Sequence, residues 1–212
     1  MNIPKLTSMD LAYETGVHMG DGNLSDGRYV ISGDRRNETL YYEEVLRPLI
    51  HSLYSLEPSI AFENNSVYLR VYSKELVSFK HDRIGLPIGR KKELRIPDFA
   101  TRDAQLTAQV VSGLYDTDGS VKVRRDKSGN YPRISLAQKH AHLVRDTMSF
   151  LQSVGITSTM YRNDYFDPRT TKTETRWFLD VNGFPNFDRF MVVIGTRNPY
   201  VETRMKTVLM LR

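Results

Sequence analysis

Apolar residues recur at helical spacing through Met9, Leu11, Ala12, Val17 and Met19, with Thr7 or Ser8 ahead of them as the cap. The run stops at Asp21-Gly22, where glycine suits a left-handed C-terminal residue. The period then drops to two. Asn23-Leu24 and Arg28–Ser32 read as a hairpin turned at Ser25-Asp26-Gly27. Helical spacing returns over Asn37–Tyr54, with Leu40, Val45, Leu46, Leu49 and Leu53 as the inner face and Pro48 as a kink. A second hairpin joins Ser59–Phe62 to Val67–Tyr72, and a helix from Lys74 to Ile84 ends at Gly85.

The same order follows again. Gly85–Phe99 carries prolines, glycines and Arg90-Lys91-Lys92, and reads as a linker whose basic run either touches phosphate or is a solvated loop. A helix closes at Asp118-Gly119; Val121 and Val123 alternate with Lys122 and Arg124; and after a turn at Asp126–Asn130 the strand Tyr131–Lys139 returns. His140–Val154 is a helix, and Ile156–Asn163 pairs with Thr175–Val181 across a long loop, Asp164–Glu174, expected to be ordered by a partner. Phe187–Ile194 and Pro199–Leu211 are the last helices. Val71 stands thirteen residues before Ile84-Gly85, as Val181 does before Ile194-Gly195. Helix, hairpin, helix, hairpin, helix, twice over, predicts an α+β fold of two αββαββα halves, residues 1–98 and 99–212. Each holds a four-stranded antiparallel sheet with one face on helices and the other bearing charge.

The two halves share one pair of segments. Glu14–Gly22 and Val111–Gly119 place glycine, a small residue, aspartate and glycine at matching positions, and Asp118 lies 97 residues after Asp21. Ala12, Gly16 and Gly20 fall on one helix face, as do Gln109, Gly113 and Thr117. Glycine inside a helix costs about 1 kcal/mol relative to alanine, and close backbone approach supplies a reason for Gly16 and Gly113. Two helices packed in this way bring Asp21 and Asp118 side by side at two negative helix ends. Such carboxylates repel unless cations lie between them, and Asp with phosphate oxygens is the ligand set Mg²⁺ favours. A single Asp-Gly after a helix is an ordinary cap and turn; the matched pair points to a site.

These residues resemble the LAGLIDADG homing endonucleases in their single-chain, two-motif form. The second motif matches at Gly113, Leu114, Asp116, Asp118 and Gly119; the first keeps Gly16, Gly20, Asp21 and Gly22 while Glu14, Thr15, His18 and Met19 depart from the usual letters. The resemblance implies a saddle whose sheets straddle double-stranded DNA, and cleavage of both strands of a long asymmetric site. It implies Asp21 and Asp118 as ligands of two or more Mg²⁺ ions, with the carbonyls of Gly20 and Thr117 added and Mn²⁺ or Ca²⁺ able to substitute for binding. It also places a glutamine and a basic residue where a strand enters a helix. Gln138-Lys139 fits that place in the second half, and Arg36, within Gly33–Asn37, is the first-half candidate. An arginine there offsets charge but does not readily give up a proton. By the same resemblance the chain is expected to be encoded within an intron and to act as a monomer. A silent DNA-binding regulator, and an RNA maturase acting on structured intron RNA, are the competing readings.

Composition agrees with this picture. The 212 residues carry a net charge of +5, which favours a polyanionic partner, and no cysteine, which removes disulfides, thiolate catalysis and cysteine-bound zinc. No apolar run approaches a membrane span, and Met1-Asn2-Ile3-Pro4-Lys5 is no secretion signal, so an intracellular setting with no membrane partner is expected. Candidate DNA-contacting residues on the sheets are Arg28, Arg70, Lys122, Arg124, Arg133, Arg162 and Arg176, with Arg35 as a further one, and the first hairpin is expected to carry Arg28 and Arg35 or Arg36 near the first acid.

Overall fold

Helix α1 (Met9–Asp21) starts where Ser8, not Thr7, caps it by accepting from Leu11 N. The computed structural model describes residues 1–126, 129–168 and 171–210. Gly22 is extended, with φ −80°, and opens β1 (Gly22–Ser25) directly, so the expected left-handed cap does not form. Glycine is required for space instead: a Cβ there would lie 2.6 Å from His18 Cα. Strand β2 (Arg28–Asp34) leads into α2 (Arg35–Tyr41), a π turn over Tyr42–Leu46, and α3 (Arg47–Tyr54). In an α-helix the Pro48 ring would crowd the carbonyl of Glu44, and the wider turn just before it relieves that clash. The turn also rotates the inner face. Leu40, expected in the core, is 49% exposed, while Tyr41 and Tyr42 are buried beside Leu46, Leu49 and Leu53.

Strands β3 (Ser59–Glu63) and β4 (Ser66–Tyr72) complete a sheet of order β1-β2-β4-β3. Then α4 (Lys74–Ser78) runs through a second π turn to Gly85, which is left-handed at φ 86°. The linker is not a loose tether. Gly89 N donates to Leu24 O, Leu86, Leu94 and Ile96 are buried, and Ile96 N reaches Asp146 of the second half. A short α5 (Asp98–Thr101) precedes α6 (Ala104–Asp118), which Asp103 caps through Gln105 N and Leu106 N.

In the second half β5 (Gly119–Asp126), β6 (Gly129–Gln138), β7 (Ser158–Asp167) and β8 (Lys172–Asn182) form a sheet of order β5-β6-β8-β7, with α7 (Ala141–Ser153), α8 (Phe184–Val193) and α9 (Pro199–Leu209). Most of the loop expected over 164–174 is therefore strand, held by the side-chain bonds of Glu174 to Tyr165 and of Thr175 to Asp164. Of the expected turns and ends, Lys127, Ser128, Arg169, Thr170 and Leu211 lie outside the described residues. Tyr29, Ile31, Leu69 and Val71 on one sheet, and Ile134, Leu136, Leu179 and Val181 on the other, face the helices and form the core.

Between the sheets α1 crosses α6. A Cβ on Gly16 would collide with Val110 O and lie 2.9 Å from Leu114 N; one on Gly113 would collide with Tyr13 O and lie 2.8 Å from Val17 N. The 97-residue offset carries each contact into the other, the self-complementarity of a twofold interface. Helix α1 is also pinned to its own sheet by a buried network. Glu14 accepts from Lys80 Nζ at 2.6 and 2.5 Å, from Tyr54 Oη at 2.9 Å, and from Tyr29 Oη.

Candidate active site

Because α1 and α6 cross on glycine, their acidic ends meet. A Cβ at Gly20 would lie 2.7 Å from Asp118 Oδ2 and against Thr117 Oγ1. Burial pushes the Asp21 carboxyl up to about 6, with Lys91 opposing. Asp118 is pushed up to about 7, first by burial and then by the charge of Asp21, again with Lys91 opposing. The pair therefore resists carrying two negative charges unless a cation shares the place.

One side chain supplies such a charge. Lys91 Nζ donates to the last carbonyls of α1, those of His18 (2.9 Å), Met19 (3.0 Å) and Gly20 (2.9 Å). Burial lowers its pKa to about 8, against the pull of Asp118 and Asp21. A cation thus already sits on the Gly20 carbonyl expected to be a metal ligand, among oxygen donors only, and a hard divalent ion fits that donor set. The sequence reads the Lys91 run as touching phosphate or as a solvated loop; the structure places Lys91 on the α1 carbonyls instead. Gly22 N–H still bonds His18 O, but the donor that bridges all three carbonyls comes from some seventy residues away, and no local signal marks it.

At the second-half corner Gln138 Nε2 donates to Asp118 Oδ2 at 2.5 Å, so this expected residue is brought to its acid. Lys139 faces the other way along the strand; its Nζ lies 2.8 Å from Glu174 and is half exposed. Both line a cavity of about 250 Å³ with Gly20, Lys91, Asp118 and Arg176. Arg176 is held there by Tyr165 Oη at 2.6 Å.

The first-half corner is different. Gly22 pairs with Ile31 and Gly119 with Leu136, so Gly33 stands where Gln138 stands and Asp34 where Lys139 stands. Arg36, the expected catalytic arginine, is exposed in the first turn of α2, with its backbone N–H tied to Asp34 Oδ1, and is not brought to Asp21. Helix geometry turns it outward and brings Glu38 inward. Glu38 is pushed up to about 7 by burial, against its bond from Asp34 N and with Asp21, Asp34 and Asp116 raising it further. It lines a cavity of about 370 Å³ whose walls include Asp34, Asp116, Thr117, Lys122 and Arg204. Thr117 Oγ1 turns back to Gly113 O and Leu114 O. Asp116 is a structural acid: it accepts from Tyr13 Oη (2.6 Å), Arg197 N (2.8 Å), Asn198 N (3.2 Å) and Thr196 Oγ1, tying α6 to the segment before α9.

Strand parity sorts the basic candidates. Arg28 and Arg70 share the open face of the first sheet, and Lys122, Arg124, Arg133 and Arg176 that of the second. Arg133 is clamped by Asp180 (2.9 Å) and Asn182 (2.9 Å). Arg162 pairs with Trp177, whose ring lies under Arg145 of α7; it therefore points to the helix side, on Asp164, and leaves the open face. Arg28 stands at the hairpin tip opposite Ser25, not near Asp21, and Arg35 lies over the Phe62 ring at 4.9 Å.

Residues 105–195 match the family model for a LAGLIDADG-like domain. The reverse gyrase of Thermococcus kodakarensis is 25% identical over 152 residues, which are 72% of this chain and 8% of that protein, so the chain spans a small part of its curated relative. Among solved structures, I-DmoI in complex with DNA and Mn aligns with TM-score 0.62 over 90% of this chain and 98% of that one, at 17% identity. Full-length WhiA from Thermatoga maritima aligns with TM-score 0.57 over 97% of this chain and 62% of that one, at 16% identity. With two motif helices crossing on glycine between two four-stranded sheets, the chain has the two-motif fold of the LAGLIDADG structures, and its residues 105–195 match the LAGLIDADG-like domain model.

Proposed function

We propose that the chain is a site-specific endonuclease that cuts both strands of double-stranded DNA at the crossing of α1 and α6, acting as a monomer. The observation that carries the reading is the pairing of Asp21 with Asp118 at two crossed helix ends, both pushed above the usual carboxylate range by burial. Asp21 and Asp118, with the carbonyls of Gly20 and Thr117, would hold divalent ions, Mg²⁺ by the chemistry of these oxygens. When bound, such ions activate water and stabilise the leaving oxygen of a phosphodiester. Gln138 holds Asp118 in place through its amide. Lys91 and Arg176 bring positive charge to the cavity where phosphate charge would develop, and Lys139 stands at its rim. Arg28, Arg70, Lys122 and Arg124 offer donors to phosphates or base edges from the open faces, and a two-stranded ribbon such as β5-β6 fits a major groove. I-DmoI, solved with DNA and Mn and with DNA and Ca, and a substituted variant of it solved with its target DNA in the presence of Mg, support the choice of partner and ion class.

A silent DNA-binding regulator is the second reading. What favours it is that the Gly20 carbonyl and Asp118 already have donors in Lys91 and Gln138. Selection of a bound duplex from a randomised pool in Ca²⁺, followed by addition of Mg²⁺, separates the two. Cutting of both strands within the selected site supports the nuclease; a bound, intact duplex supports the regulator; selection of structured RNA in place of duplex supports a maturase.

A further inference from the structure

Gly33 has no side chain where Gln138 reaches its acid in the other half, and two residues of the following helical run close on that place. A Cβ at Gly33 would collide with Glu38 Oε2 and lie 2.8 Å from Tyr42 Oη. Glu38 Oε2 is oriented by Asp34 N at 2.6 Å. Tyr42 is 1% exposed, and its hydroxyl has no hydrogen-bond partner among the described residues. That hydroxyl feels the charges of both Asp21 and Glu38, and Glu38 feels Asp21. Across the 370 Å³ cavity stands Thr117, whose carbonyl is the expected second-motif ligand. An oriented carboxylate, an unpartnered buried hydroxyl and a motif acid therefore converge on one side of the crossing.

We propose that Glu38, oriented by the Asp34 N–H and backed by Tyr42, is the positioning residue of the Asp21 half-site, the counterpart of Gln138 at Asp118. The two halves then hold their divalent ions through different chemistry. Gln138 spends an amide N–H on Asp118 and adds no charge; Glu38 adds a negative oxygen beside Asp21. The assignment rests on the nuclease reading only for its strand-specific consequence.

The test uses the full chain with Ca²⁺ alone, titrated calorimetrically against wild type, Glu38→Gln, Glu38→Asp and Tyr42→Phe. Glu38→Gln keeps the size of the side chain and an acceptor for Asp34 N–H, so it isolates the charge. The expected result is one Ca²⁺ site weakened about tenfold, as for groups that support metal ligands, a smaller loss in Tyr42→Phe, partial recovery in Glu38→Asp, and a metal-free melting temperature for Glu38→Gln no lower than that of wild type. Calcium isotherms of Glu38→Gln within twofold of wild type overturn the proposal. On a cleaved duplex, Glu38→Gln slows nicking of one strand about tenfold and Gln138→Ala slows the other; equal slowing of both strands by Glu38→Gln also overturns it. The calcium titration needs no cleavage, so failure of Glu38 and failure of the nuclease reading are told apart.

Discussion

Replacing Gly113 by alanine sets two effects of opposite sign against each other. On a helix whose face is free, the change stabilises by about 1 kcal/mol. At the crossing, the new methyl group meets Tyr13 O and stands 2.8 Å from Val17 N, both backbone atoms that no rotamer change moves. Over-packing of this kind costs about 1–3 kcal/mol. At the upper end the net loss is about 2 kcal/mol, equivalent to roughly 4–8 °C in melting temperature for a chain of this size. Gly16→Ala meets Val110 O and Leu114 N in the same way, so the two variants should lose stability equally. Urea and thermal unfolding followed by circular dichroism at pH 7 without metal measures the loss. Because the same crossing sets the approach of Asp21 to Asp118, Ca²⁺ affinity should fall in both variants. If either variant melts above wild type, the helices do not pack as described and the reasoning fails.

Other outcomes follow from the same contacts. Lys80→Met removes the only cation bonded to the buried Glu14 carboxylate among the described residues, and should cost about 3–5 kcal/mol at neutral pH; urea melts at pH 7 measure it. Asp21 and Asp118, raised from 3.8 to about 6 and 7, hold more protons folded than unfolded over that range, so metal-free stability should fall as pH rises from about 4 to 7. Lys91, lowered from 10.5 to about 8, holds fewer protons folded and should restore stability as pH rises from 8 to 10.5. Melting temperature against pH checks this minimum, and saturating Ca²⁺ should flatten its acid side. Arg124→Ala, on the open face, should lower the slope of log affinity for DNA against log salt by about 1, while Arg162→Ala, on the helix side, should leave the slope unchanged; gel-shift titrations at several salt concentrations decide.

What the sequence made legible is what depends on local pattern or on comparison of the two halves. The order of elements and the crossing on Gly16 and Gly113 follow from spacing, and the family resemblance places Gln138 at the strand end that the structure brings to Asp118. The remainder depends on register or on distant contacts. Leu40 reads as core by period, but one π turn before Pro48 rotates Tyr41 and Tyr42 into that place. Arg162 reads as an open-face strand residue, but its parity is set by pairing with Trp177, a register that the loop expected over 164–174 leaves undefined in the sequence. Lys91 and Glu38 come to the crossing from a linker and a helix, where no spacing in the sequence points to the acids.

The paired acids are the centre of this account, and cleavage of a randomised double-stranded DNA library with Mg²⁺ by wild type, Asp21→Asn and Asp118→Asn tests them most directly. The predicted result is double-strand ends at one long site with wild type, and none with either variant although both still bind that site. Equal cutting by the variants, or tight site-specific binding by wild type with no cut, would contradict it.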